Sequence, residues 1–360
     1  MAVYRVLCAI VLFGLVSAKP KTGDGLIALE KERLAEAAKL SSNRTESGSI
    51  ALDRMYNYDE IVEHLTKLAA DHDTVTLRSE GRTFEGQVLR YIEISTTDFM
   101  DRNKPVILIQ SLIHAREWIS LPATLYAINK LVTDITEQDL VNDIDWIIVP
   151  VVNPDGYEFS RTTTRHWLKN RYRDVNNECV GVNINRNFRI NFRSNSSNND
   201  CSDFYHGEFP TSEEETLLIS DIIATYRQRL QLFLDFQSYG SQILYGYGSG
   251  ALPNDVLLLH FLGIQMANAI NNVQVDASKN YFVGHVASFW NYASGTAIDY
   301  AKEVRKIPYS FTIKLPSYGD VEIEDDGYLV DPTNLEQAGK EAWEAIKVSA
   351  RFIRDTYQFR

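Results

Sequence analysis

Cysteine is scarce in this sequence, with three residues in 360, which excludes a disulfide-dense scaffold. Basic charge is short as well. Against 48 Asp and Glu stand only 36 Lys and Arg, a net charge of −12. Coating nucleic acid or anionic lipid needs a Lys/Arg surplus on some face, so both roles are disfavoured. Repeats and low-complexity tracts are missing, and beyond the N-terminus no apolar run looks long enough to span a membrane. What remains is ordinary globular material, 44% hydrophobic and 23% charged, with room for one large domain or two small ones.

The N-terminus reads as a leader. Arg5 precedes the apolar run Val6 to Val16, and Val16-Ser17-Ala18 suits a signal peptidase site ahead of Lys19. Cleavage there removes Cys8 and sends the mature chain to the extracellular space, where Cys179 and Cys201 are expected to pair. The sequons at Asn43 and Asn195 suit the same route. Residues 19–49 divide into a charged helical stretch, Leu26 to Leu40, and a polar linker. They are too few for a folded domain of their own, since self-stable domains need about 40 residues or more. From Ile50 to Arg360 no second linker interrupts the pattern, so one domain is expected.

Within that domain, strand-like apolar runs at Val106–Ile109, Trp146–Val152, Leu232–Phe236 and Phe311–Leu315 alternate with helical periodicity. The helical stretches are Ile119–Val132, Glu213–Leu230, Val256–Ile270 and Leu335–Tyr357. This alternation predicts an α/β fold with a largely buried, mostly parallel sheet covered on both faces. Ligands of such sheets bind beyond the carboxyl ends of the strands. After the first run comes His114-Ala115-Arg116-Glu117, in which a His and a Glu three apart can reach one cation or can simply pair near a helix start. After the second, Asn153-Pro154-Asp155-Gly156 marks a tight turn. Further on, Lys169-Asn170-Arg171 and Asn183-Ile184-Asn185-Arg186-Asn187 gather guanidinium and amide groups. These suit a carboxylate ligand, or else they pair with the chain's own acids.

Together these segments, with Cys179-Val180-Gly181-Val182 and Cys201-Ser202-Asp203-Phe204-Tyr205-His206-Gly207, resemble the secreted zinc metallocarboxypeptidases of the pancreatic A/B type over residues 50–360. The resemblance implies a single α/β domain around a mixed, twisted eight-stranded sheet with helices on both faces. It also implies a monomer with a site that removes C-terminal residues from peptides, zinc polarising the scissile carbonyl and activating a water. Carried over by position, His114 and Glu117 match two zinc ligands and Arg171 the oxyanion group. Asn185 and Arg186 match the grip on the terminal carboxylate, Arg116 an accessory substrate contact, and Cys201 the family's second half-cystine. Ile298, at the position that sets side-chain preference, resembles the A-type taste for aliphatic and aromatic C-termini.

Other matched positions depart from the family. Gln237 stands where the third zinc ligand, a His, is expected, and a neutral amide oxygen is a far poorer ligand than imidazole. Lys314 stands where the general base, a Glu, is expected, and a protonated amine cannot accept a proton. Asn291 replaces the mobile Tyr, with Tyr292 one position out of register. Asn183 replaces the carboxylate that orients the first zinc His, and Leu112 and Thr296 replace glycines. The expectation is a pseudoenzyme with weak or absent zinc that keeps the capacity to bind peptide or protein C-termini, against the alternative of an active zinc carboxypeptidase releasing aliphatic or aromatic residues. In a metal-free site the Lys314 ammonium would either approach the Glu117 carboxylate or rotate away and leave the gap to water.

Overall fold

The computed structural model describes residues 23–41, 50–289, 292–317 and 326–357. The leader, the linker with Asn43, and Asn291 lie outside the described residues. In chain order the helices are α1 (Gly23–Ser41), α2 (Tyr58–Asp71), α3 (Ser120–Thr133), α4 (Gln138–Asp143), α5 (Pro154–Thr162), α6 (Glu214–Tyr226), α7 (Val256–Val273), α8 (Val286–Phe289), α9 (Ala297–Asp299) and α10 (Leu335–Tyr357). The strands are β1 (Val75–Arg82), β2 (Val88–Ile94), β3 (Val106–Ser111), β4 (Asp145–Val149), β5 (Leu230–Ser238), β6 (Gln242–Tyr245), β7 (Phe282–His285) and β8 (Tyr309–Leu315). They form one eight-stranded sheet in the order β1-β2-β4-β3-β5-β8-β6-β7. The sheet is mixed: β4, β3, β5 and β8 run parallel, while β1 with β2, β2 with β4, and β6 with β8 are antiparallel.

The period-2 rule assigns the sheet's two faces. Leu232, Leu234 and Phe236 of β5, with Phe311 and Ile313 of β8, join a core covered by α2, α3, α7 and α10. Phe233 of β5, with Leu108 of β3 and Ile147 of β4, joins a second core under α6 and α9. Helix patterns agree with this layering. In α10, Leu335, Ala338, Ala342, Ala345, Ile346, Ala350 and Ile353 recur at helical spacing and are buried. An Asn57–Glu60 capping box starts α2, each side chain taking the other residue's backbone amide at 2.8 Å.

One helix, α7, is long and apolar enough to cross a membrane by length and composition alone. Its inner face, Leu259, Leu262, Met266 and Ile270, is buried in the core it shares with α10, and no charged residue interrupts the helix. The expected helix Glu213–Leu230 ends earlier, at Tyr226, because Leu230 already belongs to β5.

Candidate functional site

Because β3, β5 and β8 are parallel neighbours, whatever sits at their carboxyl ends is brought together. Beyond β3, His114 and Glu117 lie on a buried turn, and His114 Nδ1 is 3.0 Å from Glu117 Oε1. Gln237 near the end of β5 and Lys314 near the end of β8 are register partners. Side chains of Gln237 and Lys314 therefore leave the same face of the sheet, together with Asp235, Thr312 and Gln110, which occupy paired positions on the same strands. Asp235 is the hub of this row. Fully buried, it accepts from Gln110 Nε2 at 2.9 Å through Oδ1 and from Gln237 Nε2 at 2.6 Å through Oδ2. Burial pushes its carboxyl up to about 6, against the two amide donors and the nearby His114.

Lys314 is also buried, which lowers its pKa. Glu117 is the strongest charge acting in the opposite direction and Asp235 the next, while Arg186 and Arg116 add to the lowering. Lys314 thus lies in the field of two carboxylates that favour its ammonium form and two guanidinium groups that disfavour it. Among the described residues His114 Nε2 and Glu117 Oε2 are buried without a hydrogen-bond partner, and so is Asn183 Oδ1, whose own amide donates to the Asp203 carbonyl at 2.9 Å. The Asn183 side chain does not hold the His114 ring.

A catalytic zinc takes three protein donors. Here a His nitrogen and a carboxylate supply two. In the third place is a carboxamide whose NH2 is turned to Asp235, beside an ammonium that opposes any dication. Among the described residues no three His, Cys, Asp or Glu side chains converge on one point. The donors present do not suit zinc.

The groups expected to bind a carboxylate are placed by a different device. Gly295, at φ +66°, lets the 293–297 loop pack on the backbone of Arg186, where a Cβ would come within 2.2 Å of the Arg186 carbonyl oxygen. Asn185 Oδ1 accepts the Ala297 amide at 2.9 Å, and Arg186 Nη1 donates to the Asn185 carbonyl at 2.7 Å. Burial lowers the Arg186 pKa to about 10, with Asp299 opposing. Ile298 is buried one residue before Asp299, whose Oδ2 takes the Gly248 amide at 3.0 Å. Thr296 accepts the Asp299 amide at 3.3 Å and caps α9. Arg116 lies over the Tyr328 ring at 4.4 Å and reaches Tyr328 Oη and Asp203 Oδ2, each at 3.4 Å.

Arg171 is not brought to this group. Its guanidinium rests on the Phe159 ring at 3.7 Å, with Trp167 at 4.8 Å, and Nε donates to Glu85 at 3.4 Å. Among the described residues it makes no hydrogen bond or ion pair with His114, Glu117, Gln237 or Lys314. The aromatic shelf and Glu85 give the cation a better setting than a cleft already holding Lys314, Arg116 and Arg186. Leu168 meets the site loop instead, its carbonyl accepting the Ala115 amide at 2.9 Å. Leu112, where the family has glycine, is buried at φ +53°, a left-handed conformation that costs a side-chain-bearing residue roughly 1–2 kcal/mol. Cys179 and Cys201 form a disulfide. Asn195 is exposed, as a glycan acceptor must be.

The sequence reading passed over Asp235 and Gln110, although a lone carboxylate inside Leu-Phe-Leu-Asp-Phe, two residues before Gln237, marks the same face. It also passed over Tyr328, Arg165 and Glu30, whose contacts span long stretches of chain.

Comparison with known proteins agrees with the geometry. The chain matches the zinc carboxypeptidase family over residues 61–345. It is 39% identical over 337 residues to a carboxypeptidase B from Helicoverpa zea, covering 91% of this chain and 77% of that protein. To carboxypeptidase A2 from Rattus norvegicus it is 30% identical over 339 residues, covering 92% and 78%. The crystal structure of carboxypeptidase A from Helicoverpa armigera superposes with a TM-score of 0.88 at 47% identity, covering 92% of this chain and 81% of that one. The buried mixed eight-stranded sheet thus has its counterpart in a known group of proteins, and this chain belongs to the zinc carboxypeptidase family.

Proposed function

We propose that this protein is a secreted pseudoenzyme of the family, which binds peptide or protein C-termini without hydrolysing them. The observation that carries the reading is the Asp235–Gln237–Lys314 arrangement. The third donor's amide is spent on a buried carboxylate, and an ammonium occupies the position from which a carboxylate would have to take a proton from water. Ligand and base are lost in one place, and the carboxamide that stands for the ligand is held by Asp235. The binding side keeps its parts: Asn185 and Arg186 beside the buried Ile298, with Arg116 across the cleft. A terminal carboxylate placed there meets a guanidinium already partly desolvated, where a charge-assisted hydrogen bond contributes about 1.5–3 kcal/mol. Ile298 favours an aliphatic or aromatic C-terminal side chain. Secretion is supported by the leader-like N-terminus, the disulfide and the exposed Asn195 sequon.

The rival reading, an active zinc carboxypeptidase, draws on the family itself and on the unpartnered His114 Nε2 and Glu117 Oε2. Calorimetric titration with an N-acyl dipeptide ending in Phe tests binding. The wild-type chain should bind without releasing Phe, and Arg186→Ala should weaken binding about 10- to 100-fold, the equivalent of 1.5–3 kcal/mol. Release of Phe by the wild-type chain, or equal affinity in the variant, contradicts the proposal.

A further inference from the structure

α1 packs Leu34 against the core, buries Leu26, and places one buried carboxylate, Glu30, against the 326–331 loop. Glu30 and Arg165 are both buried, at 3% and 4% exposure, and form a two-pronged ion pair of 2.6 Å to Nε and 3.0 Å to Nη2. Glu30 Oε1 also accepts the Val330 amide at 2.6 Å, so a single side chain holds both the turn after α5 and the 326–331 loop. Outside it, Arg33 Nη1 reaches Asp331 Oδ2 at 2.5 Å. From Arg165 the contacts run into the site. Its Nη1 donates to the Arg116 carbonyl at 2.9 Å, its Nη2 to the Tyr328 carbonyl at 2.5 Å, and its guanidinium lies 3.6 Å over the Trp118 ring. Tyr328 in turn packs edge-on against Tyr239 at 4.9 Å and lies under Arg116.

We propose that α1 is a positioning element of the carboxylate-binding site: Glu30, acting through Arg165 and Val330, sets Tyr328 and Arg116, and the site is complete only while α1 stays docked. Helix α1 therefore does more than lead the chain into the domain. A surface helix held only for packing would not need a buried carboxylate, and neither end of the Glu30–Arg165 pair can be left unpartnered at such low exposure. The arrangement makes the geometry of Arg116 conditional on a residue 86 positions earlier in the chain, through contacts that involve no part of the sheet.

The affinity half of this inference rests on the proposed binding of C-termini; the loop half does not, and two measurements separate them. Backbone amide exchange at Val330 reports the Glu30 contact directly, and titration with the N-acyl dipeptide ending in Phe reports the site. In the full chain, Glu30→Ala should speed exchange at Val330 at least tenfold and weaken the dipeptide at least fivefold. Glu30→Gln, which keeps an acceptor but not the charge, should fall between. Arg33→Ala, which breaks only the outer pair and leaves no buried charge, should move both readouts in the same direction by less, and it serves if Glu30→Ala does not fold. Faster exchange with unchanged affinity would make α1 merely structural and overturn the proposal. Unchanged exchange at Val330 in Glu30→Ala, or in Arg33→Ala should that be the only folded variant, would overturn it as well. If the wild-type chain fails to bind the dipeptide, the binding reading falls, and the positioning of Tyr328 stands or falls on exchange alone.

Discussion

Glu215 offers a test of the electrostatics behind the site. It lies in α6 beside Glu213, both are buried, and they share one donor: Asn170 Nδ2 is 2.7 Å from Glu213 Oε2 and 3.3–3.4 Å from the Glu215 oxygens. Asn170 Oδ1 meanwhile takes the amides of Val182 and Tyr172, so the pair anchors the segment leading to Asn185 and Arg186. Burial, reinforced by Glu213, pushes Glu215 from 4.5 up to about 8. For an acid raised in the folded state, the unfolded chain releases its proton first. Stability therefore falls as pH climbs from about 4.5 to 8, and is level beyond. At 1.36 kcal/mol per unit, the 3.5 units separating those two values amount to at most about 5 kcal/mol, and roughly 4 of that lies between pH 5 and 8. Glu215→Gln keeps the shape and an acceptor for Asn170 while removing the titration. Urea unfolding of both proteins at pH 5, 6, 7 and 8 should show them nearly equal at pH 5 and the variant increasingly favoured above it. A wild-type-minus-variant difference that stays constant over this range would refute the reasoning.

Three further outcomes follow from the same contacts. Replacing Cys179 and Cys201 by Ser opens a loop with a sequence separation of 22 and should cost about 3 kcal/mol in the chain-entropy model, read as a lower urea midpoint with an equal or steeper slope, since the unfolded chain is less constrained. Gln237→His with Lys314→Glu restores a three-donor set and removes an ammonium that, at about 5 Å from a dication and an effective dielectric near 20, opposes it by roughly 7 kcal/mol. The double variant should take up zinc in equilibrium dialysis where the parent does not, and equal uptake would show that these two residues are not the obstacle. Ile298→Asp should shift the preferred dipeptide from one ending in Phe toward one ending in Arg, measured as the ratio of the two affinities; an unchanged ratio would remove Ile298 from the pocket.

The sequence made the centre of the sheet readable because its strands are buried on both faces: β3 and β4 carry nearly continuous apolar runs, and β5 and β8 keep apolar residues at every second position, Leu232, Leu234 and Phe236, and Phe311, Ile313 and Leu315. β1 escaped notice because its residues after Val75 are mostly exposed and polar, and β6 and β7 because four residues carry no period. The site followed the same division. His114, Glu117, Gln237 and Lys314 could be placed from motifs, since the ends of parallel strands must meet. Where a long side chain turns is a tertiary matter: Arg171 lies in the expected segment but rests on Phe159 and Trp167. Asp235 looks like an isolated polar residue until the register sets Gln110 and Gln237 on either side of it. Glu30 joins the site only through Arg165 and Val330, 135 and 300 residues away.

The central claim is that the Asp235–Gln237–Lys314 network has replaced a working metal centre while carboxylate binding persists. Its most direct test is zinc content by elemental analysis of the purified full chain after dialysis against zinc, with hydrolysis of an N-acyl dipeptide ending in Phe measured on the same sample. Zinc far below one per chain, no release of Phe, and saturable binding of the dipeptide are predicted. One zinc per chain with turnover would contradict the account.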